Sequence, residues 1–116
     1  MNPDVRTLWL FSPSSALARP AALGLAARRL RALGFEVAED TAARARHKRF
    51  AGSDETRLQA LHRVADAAPS IAMAARGGYG LTRLLDAVDW PLLARSIERG
   101  TRWVGHSDFT ALQIGL

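Results

Sequence analysis

Short apolar runs alternate with amphipathic stretches along this chain, and the alternation restricts its fold more than any other feature. Residues 7–11, 35–38, 70–74 and 102–104 read as strands. The third of these is a continuous apolar run of the kind buried on both faces of a parallel sheet. Between the strands lie segments with helical spacing. Leu23, Ala26, Ala27, Leu30 and Leu33 form one stripe, begun near Pro20 and stopped at Gly34. Leu58, Leu61, Val64, Ala65 and Ala68 form a second, opened by Ser53-Asp54-Glu55 and ended by Pro69. Leu81, Leu84, Leu85 and Val88, at i, i+3, i+4 and i+7, predict an amphipathic α-helix that Trp90-Pro91 interrupts. Residues 92–99 read as a short helix and residues 40–52 as a polar, basic loop. Strand–helix alternation of this kind gives an α/β fold with a mostly parallel sheet.

Right-handed crossovers bring the carboxyl ends of such strands to one edge, where open α/β sheets bind their ligands. Three loops meet there: Ser12-Pro13-Ser14-Ser15, Arg76-Gly77-Gly78-Tyr79-Gly80 and Gly105-His106-Ser107-Asp108. Ser107 lies between a strand and an apolar helical run that starts at Phe109. A serine on so tight a turn has its hydroxyl lifted above the sheet, as in a nucleophile elbow, although Phe109 breaks the usual Gly-x-Ser-x-Gly spelling. The same residue also suits a helix N-cap, with Asp108 in the first turn. The glycine segment either brings backbone N–H groups close to an anion or forms a plain tight turn. It lacks the third glycine of a dinucleotide fingerprint, where Arg83 stands instead, and the Gly-Lys-Ser/Thr of a P-loop.

Composition excludes several classes. With 48% hydrophobic and 23% charged residues, 116 residues make one soluble globular domain. No apolar run reaches the roughly 20 residues of a membrane span. Residues 1–6 do not read as a signal peptide, and the absence of cysteine excludes disulfides and thiolate metal sites. A cytoplasmic location is expected. The net charge of +5 invites a nucleic-acid partner, but the basic residues are scattered. Their densest cluster, Arg44-Ala45-Arg46-His47-Lys48-Arg49, carries no interleaved aromatic residue. Neither nucleic acid nor membrane is expected as a partner. No histidine pair has metal-ligand spacing, so neither a metal nor another cofactor is implied.

Taken in order, the landmarks resemble those of the LD-carboxypeptidase and microcin-immunity family of serine peptidases. The glycine segment with Leu84-Leu85 is one, and Trp103-Val104-Gly105-His106-Ser107-Asp108-Phe109-Thr110-Ala111-Leu112 is another. Ser12-Pro13-Ser14-Ser15 and Phe50-Ala51-Gly52-Ser53-Asp54-Glu55-Thr56-Arg57 stand in matching places. The resemblance implies a flavodoxin-like three-layer α/β/α fold and a catalytic Ser107 in a Ser-Glu-His triad. It implies an oxyanion hole from the N–H groups of Gly78 and Asp108. The reaction implied is hydrolysis of an L,D amide, as at the terminal D-alanine of murein tetrapeptides in peptidoglycan recycling. Some members instead cleave peptide-nucleotide antibiotics.

In that family the Glu and His lie in a C-terminal domain. Residues 1–116 are therefore expected to be an N-terminal, nucleophile-bearing domain, inactive alone and homodimeric when complete. Arg76 either holds a substrate carboxylate or pairs with an acid, and Tyr79 either packs over a bound peptide or covers a helix end. His106 replaces a commonly aromatic residue and, pointing away from its neighbour, is expected at the surface or in packing rather than as base. His47 and His62 are expected to be solvated, Trp9, Trp90 and Trp103 to lie in core or interface, and Ser14 and Ser15 to be turn residues. The alternative to the hydrolase is a non-enzymatic α/β module that binds an anion or nucleotide through the glycine loop.

Overall fold

The structure, a computed structural model, describes residues 6–116. Residues 1–5, most of the lead-in read above as no signal peptide, lie outside the described residues. Four strands form one all-parallel sheet: β1 (Arg6–Phe11), β2 (Phe35–Glu39), β3 (Ile71–Ala74) and β4 (Arg102–Val104). Their order is β2-β1-β3-β4, which is that of flavodoxin-like sheets, with the direction of winding reversing between β1 and β3.

β1 is buried on both faces, and its alternation sorts the core. Leu8 and Leu10 point to one side, where they meet Val37 of β2 and Leu23 and Ala27 of helix α1 (Ala21–Ala32). Phe11 points to the other. There it meets Leu61, Val64 and Ala65 of α2 (Asp54–Ala67), Leu93 of α3 (Trp90–Glu98), and Phe109 and Leu112 of α4 (Phe109–Gly115). This is a three-layer α/β/α arrangement. Trp103 stands edge-on to Phe11 with ring centres 5.7 Å apart, and its indole N–H donates to Ser96 Oγ at 3.0 Å. Its polar atom is thus satisfied in the core.

Some helices differ from the sequence reading. The segment Leu81–Ala87 is a 3-10 helix, not an α-helix. At three residues per turn it stacks Leu81 over Leu84, both buried, and leaves Leu85 half-buried. The run ends because Asp89 accepts from Leu92 N at 3.0 Å and starts α3, with Pro91 in the first turn. Trp90-Pro91 therefore opens a helix rather than breaking one. In α1 only Leu23 and Ala27 are fully buried. Ala26 faces solvent, and Leu33, beyond the last turn, is 75% exposed. Ala68 is not on the buried face of α2 but caps it in the left-handed region (φ 47°), ahead of Pro69. Ser53 caps the other end as expected, accepting from Thr56 N at 3.1 Å.

Candidate active site

The three loops do converge at the carboxyl edge of the sheet, and their side chains tie them together. Ser107 has φ 61°, in the left-handed region that non-glycine residues seldom enter. Its side chain is exposed, and Asp108, not Ser107, occupies the N-cap position of α4. A capping serine would instead have extended backbone and accept an N–H from the first turn. Ser107 is thus held on a sharp strand-to-helix turn with its hydroxyl outward, the backbone signature of an elbow.

The glycine segment lies directly against this turn. A Cβ on Gly77 would come within 2.6 Å of both His106 O and Ser107 Cβ. Gly78 has φ 108°, and a Cβ there would sit 2.1 Å from Ser15 Oγ. No side chain fits at either place, so the glycines permit backbone contact that other residues would block. Next to them Tyr79 N donates to Ser15 Oγ at 3.0 Å.

Asp108 links all three loops. Its Oδ1 accepts from Ser14 Oγ at 2.9 Å, and its Oδ2 accepts from Leu81 N at 3.1 Å. Ser14 and Ser15, both buried, are struts rather than plain turn residues. The Asp108 side chain sets the position of the glycine segment relative to the elbow.

Beneath this edge sits a residue that sequence reasoning passed over. Arg57, on the inner face of α2, is fully buried. Its guanidinium donates to Pro13 O at 3.1 Å, Gly80 O at 2.9 Å and Gly52 O at 3.3 Å. It also pairs with Asp54 and lies 4.8 Å from the centre of the Phe50 ring. Burial pushes the Arg57 guanidinium below its ordinary value, opposed by Asp54. One signal was available: Arg57 closes the Phe50–Arg57 landmark, an arginine three residues after an acid in an otherwise apolar-faced helix. Outside, Arg83 grips Asp54 through Nε and Nη2 at 3.0–3.2 Å, and this hydrogen bonding holds the Asp54 carboxyl below the usual carboxylate value.

The other candidates divide. Tyr79 is at the rim, 72% exposed. Arg76 pairs with no acid among the described residues; its Nη1 donates to Ala16 O at 2.7 Å, a tie to the β1 loop that the sequence did not reveal. His106 is exposed, as expected. His62 is not simply solvated: half-buried, it accepts from Asp89 N at 2.9 Å through Nε2. His47 lies exposed in the basic loop. Trp9 is partly buried against the core with its Nε1 unpartnered, and Trp90 packs beside Gly115. Among the described residues no group of three or more His, Asp or Glu side chains is placed to hold a metal ion, and no helix is long and apolar enough to cross a membrane.

A flavodoxin-like sheet with a strained serine turn after β4, and the glycine loop after β3 packed against it, defines a class of α/β proteins with elbow-like turns at the carboxyl edge. The family follows from comparison with known sequences. Residues 9–116 match the LD-carboxypeptidase N-terminal domain, and the chain belongs to that family. It is 34% identical over 104 residues to the murein tetrapeptide carboxypeptidase of Pseudomonas aeruginosa, covering 89% of this chain and 33% of that protein. The muramoyltetrapeptide carboxypeptidase of Oxalobacter formigenes superposes with a TM-score of 0.82 at 35% identity, over 95% of this chain and 36% of that one. The microcin self-immunity protein MccF, solved with aspartyl sulfamoyl adenosine, shares the fold at a TM-score of 0.70 and 23% identity, over 92% of this chain and 32% of that one. The chain thus spans about a third of the length of these relatives.

Proposed function

We propose that this chain is the nucleophile-bearing domain of a serine-type LD-carboxypeptidase that releases the terminal D-alanine of murein tetrapeptides. The observation that carries the reading is Ser107, exposed at φ 61° and so close to Gly77 that a Cβ on that glycine would come within 2.6 Å of the Ser107 Cβ. Ser107 Oγ attacks the carbonyl carbon of the L,D amide. A histidine, oriented by a glutamate and supplied from a second domain, takes the hydroxyl proton and passes it to the departing amine of D-alanine. The developing oxyanion lies between the N–H groups of Gly78 and Asp108. The residue after an elbow nucleophile turns its N–H toward that oxygen, and a glycine on a neighbouring loop can approach without a Cβ. Water then attacks the acyl-serine, giving the shortened peptide and free Ser107. Without its base a triad serine retains only the contribution of binding and the oxyanion hole, so residues 1–116 alone are expected to turn over poorly.

The test is D-alanine release from an L,D-tetrapeptide by a protein carrying this chain together with the second domain. Ser107→Ala should abolish release, and release that survives the change would remove Ser107 from the role. Nucleotide binding to the chain without any peptidase activity in the longer protein would favour the anion-binding module instead.

A further inference from the structure

We infer that Arg49, held on the rings of Phe50 and Tyr79, is the subsite for the free carboxylate of the peptide substrate; the inference rests on the hydrolase reading above. Arg76, the other arginine beside the site, has one Nη1 donor on Ala16 O and its remaining donors free among the described residues. Arg49 Cζ lies 5.4 Å from the Phe50 ring centre and 6.0 Å from that of Tyr79. Stacking occupies the flat faces of a guanidinium and leaves its N–H donors free at the edge, in the fork geometry that matches a carboxylate. Those donors meet no acceptor among the described residues.

Both sides of the subsite are fixed to the same loop. Arg49 O accepts from Ala16 N at 2.8 Å, and Tyr79 N donates to Ser15 Oγ at 3.0 Å. Tyr79 is also two residues from Gly77, where an added Cβ would come within 2.6 Å of Ser107 Cβ. The backbones of both residues are therefore tied to the loops that pack at the elbow.

Charge favours the same ligand. Most acids around this edge are already engaged, Asp54 by Arg57 and Arg83, Asp108 by Ser14 and Leu81 and Asp40 by Arg63, while Glu55, beside Phe50, accepts only from the neutral Gln59 amide. Arg49 and its neighbours Arg46 and Lys48 have no carboxylate partner among the described residues. An anionic ligand entering here meets uncompensated positive charge. A carboxylate and a phosphate share that attraction, and the carboxylate is chosen because the scissile amide of a carboxypeptidase lies one residue from it.

The test is titration of the ¹⁵N-labelled chain with N-acetyl-L-lysyl-D-alanine, its C-terminal amide, and adenosine monophosphate, following the Arg49 side-chain Nε–H and the Tyr79 amide. The acid should shift both signals and bind about tenfold more tightly than the amide, the discrimination expected of a charge-assisted hydrogen bond. In Arg49→Gln that preference should vanish, and Arg49→Lys should restore part of it. Ser107→Ala should leave it unchanged, which separates this inference from the hydrolase reading. Equal binding of acid and amide, an unchanged preference in Arg49→Gln, or a response to adenosine monophosphate alone would overturn it. If Ser107→Ala abolishes turnover in the longer protein while Arg49→Gln keeps the acid preference, the hydrolase reading stands and the Arg49 subsite falls.

Discussion

Replacing Arg57 by methionine tests whether one buried guanidinium holds the site edge together. Methionine fills much of the volume of the stem and removes the charged head. Trading a buried ion pair for apolar packing is often neutral when both partners go. Here the partners stay behind. Pro13 O and Gly80 O, at 3.1 and 2.9 Å from Nη1, lose their donor, as does Gly52 O at 3.3 Å. Hydrogen bonds to charged groups contribute about 1.5–3 kcal/mol each. The two shorter ones therefore represent about 3–6 kcal/mol, and the stacking on Phe50, at 4.8 Å, adds about 1 kcal/mol. Against this stands the desolvation of the guanidinium, which returns several kcal/mol when the head is removed. The Asp54 pair adds little to the difference, because Asp54 is 46% exposed and keeps Arg83. The net expectation is a loss of about 2–3 kcal/mol, read as a lower urea midpoint at unchanged slope. At roughly 4–6 °C per kcal/mol for a domain of this size, the melting temperature should fall by about 10–15 °C. Hydrogen exchange should quicken first at the Tyr79 and Leu81 amides, on the loop that Gly80 O anchors. Arg57→Lys should fall between, since one ammonium cannot reach all these carbonyls. A methionine variant within 0.5 kcal/mol of the parent, with unchanged exchange at Leu81, would refute the reasoning.

Asp108→Ala removes the acceptor of Ser14 Oγ and Leu81 N and should cost about 1–3 kcal/mol, with faster exchange at Leu81 as the local readout. Gly78→Ala places a Cβ 2.1 Å from Ser15 Oγ at φ 108° and should destabilise by about 2–4 kcal/mol in urea titration. Ser15→Gly in the same chain should recover part of that loss, and no recovery would mean that the steric account is wrong. For pH, the Asp54 carboxyl is held below 3.8, chiefly by Arg83. A depressed carboxylate contributes stability that is fully present above its unfolded pKa and is lost as pH falls through the folded one. Arg83→Gln should therefore be less stable than the parent at pH 7, and the gap should narrow as pH falls below about 4 in paired denaturation curves. A gap that does not narrow with acid would point to packing rather than charge.

The sheet was legible because β1 and β3 are short apolar runs between clear breaks; β4, residues 102–104, agrees at both ends although only Trp103 is buried there, and β2 runs one residue further than read, to Glu39. The segment after Gly80 was not, because eight residues are too few for an i, i+3, i+4, i+7 pattern to separate three from 3.6 residues per turn. What selects the tighter helix is tertiary: Asp108 takes the Leu81 N–H at one end and Asp89 starts a new helix at the other. Arg57 was invisible for a similar reason. A charged residue on a helix reads as solvated unless its partners are known, and Pro13 and Gly80 lie 44 and 23 residues away. Arg76 shows the converse, a sequence position beside the site whose guanidinium turns back onto the Ala16 carbonyl.

The elbow itself illustrates how local and distant information combine. A non-glycine residue in the left-handed region costs on the order of 1 kcal/mol and persists only where the surroundings over-determine it. Around Ser107 three constraints do so. Phe109, two residues on, is fully buried against Phe11 with ring centres 6.1 Å apart, which fixes where α4 starts. Asp108 is pinned by Ser14 and Leu81, and Gly77 fills the space beside the Ser107 Cβ. None of these contacts involves the Ser107 hydroxyl, so the backbone is held while the oxygen stays free. An N-cap would use the reverse arrangement, with the hydroxyl bonded and the backbone relaxed. The strain is maintained by residues from three separate loops, and it leaves one oxygen exposed, as the proposed nucleophile role of Ser107 requires.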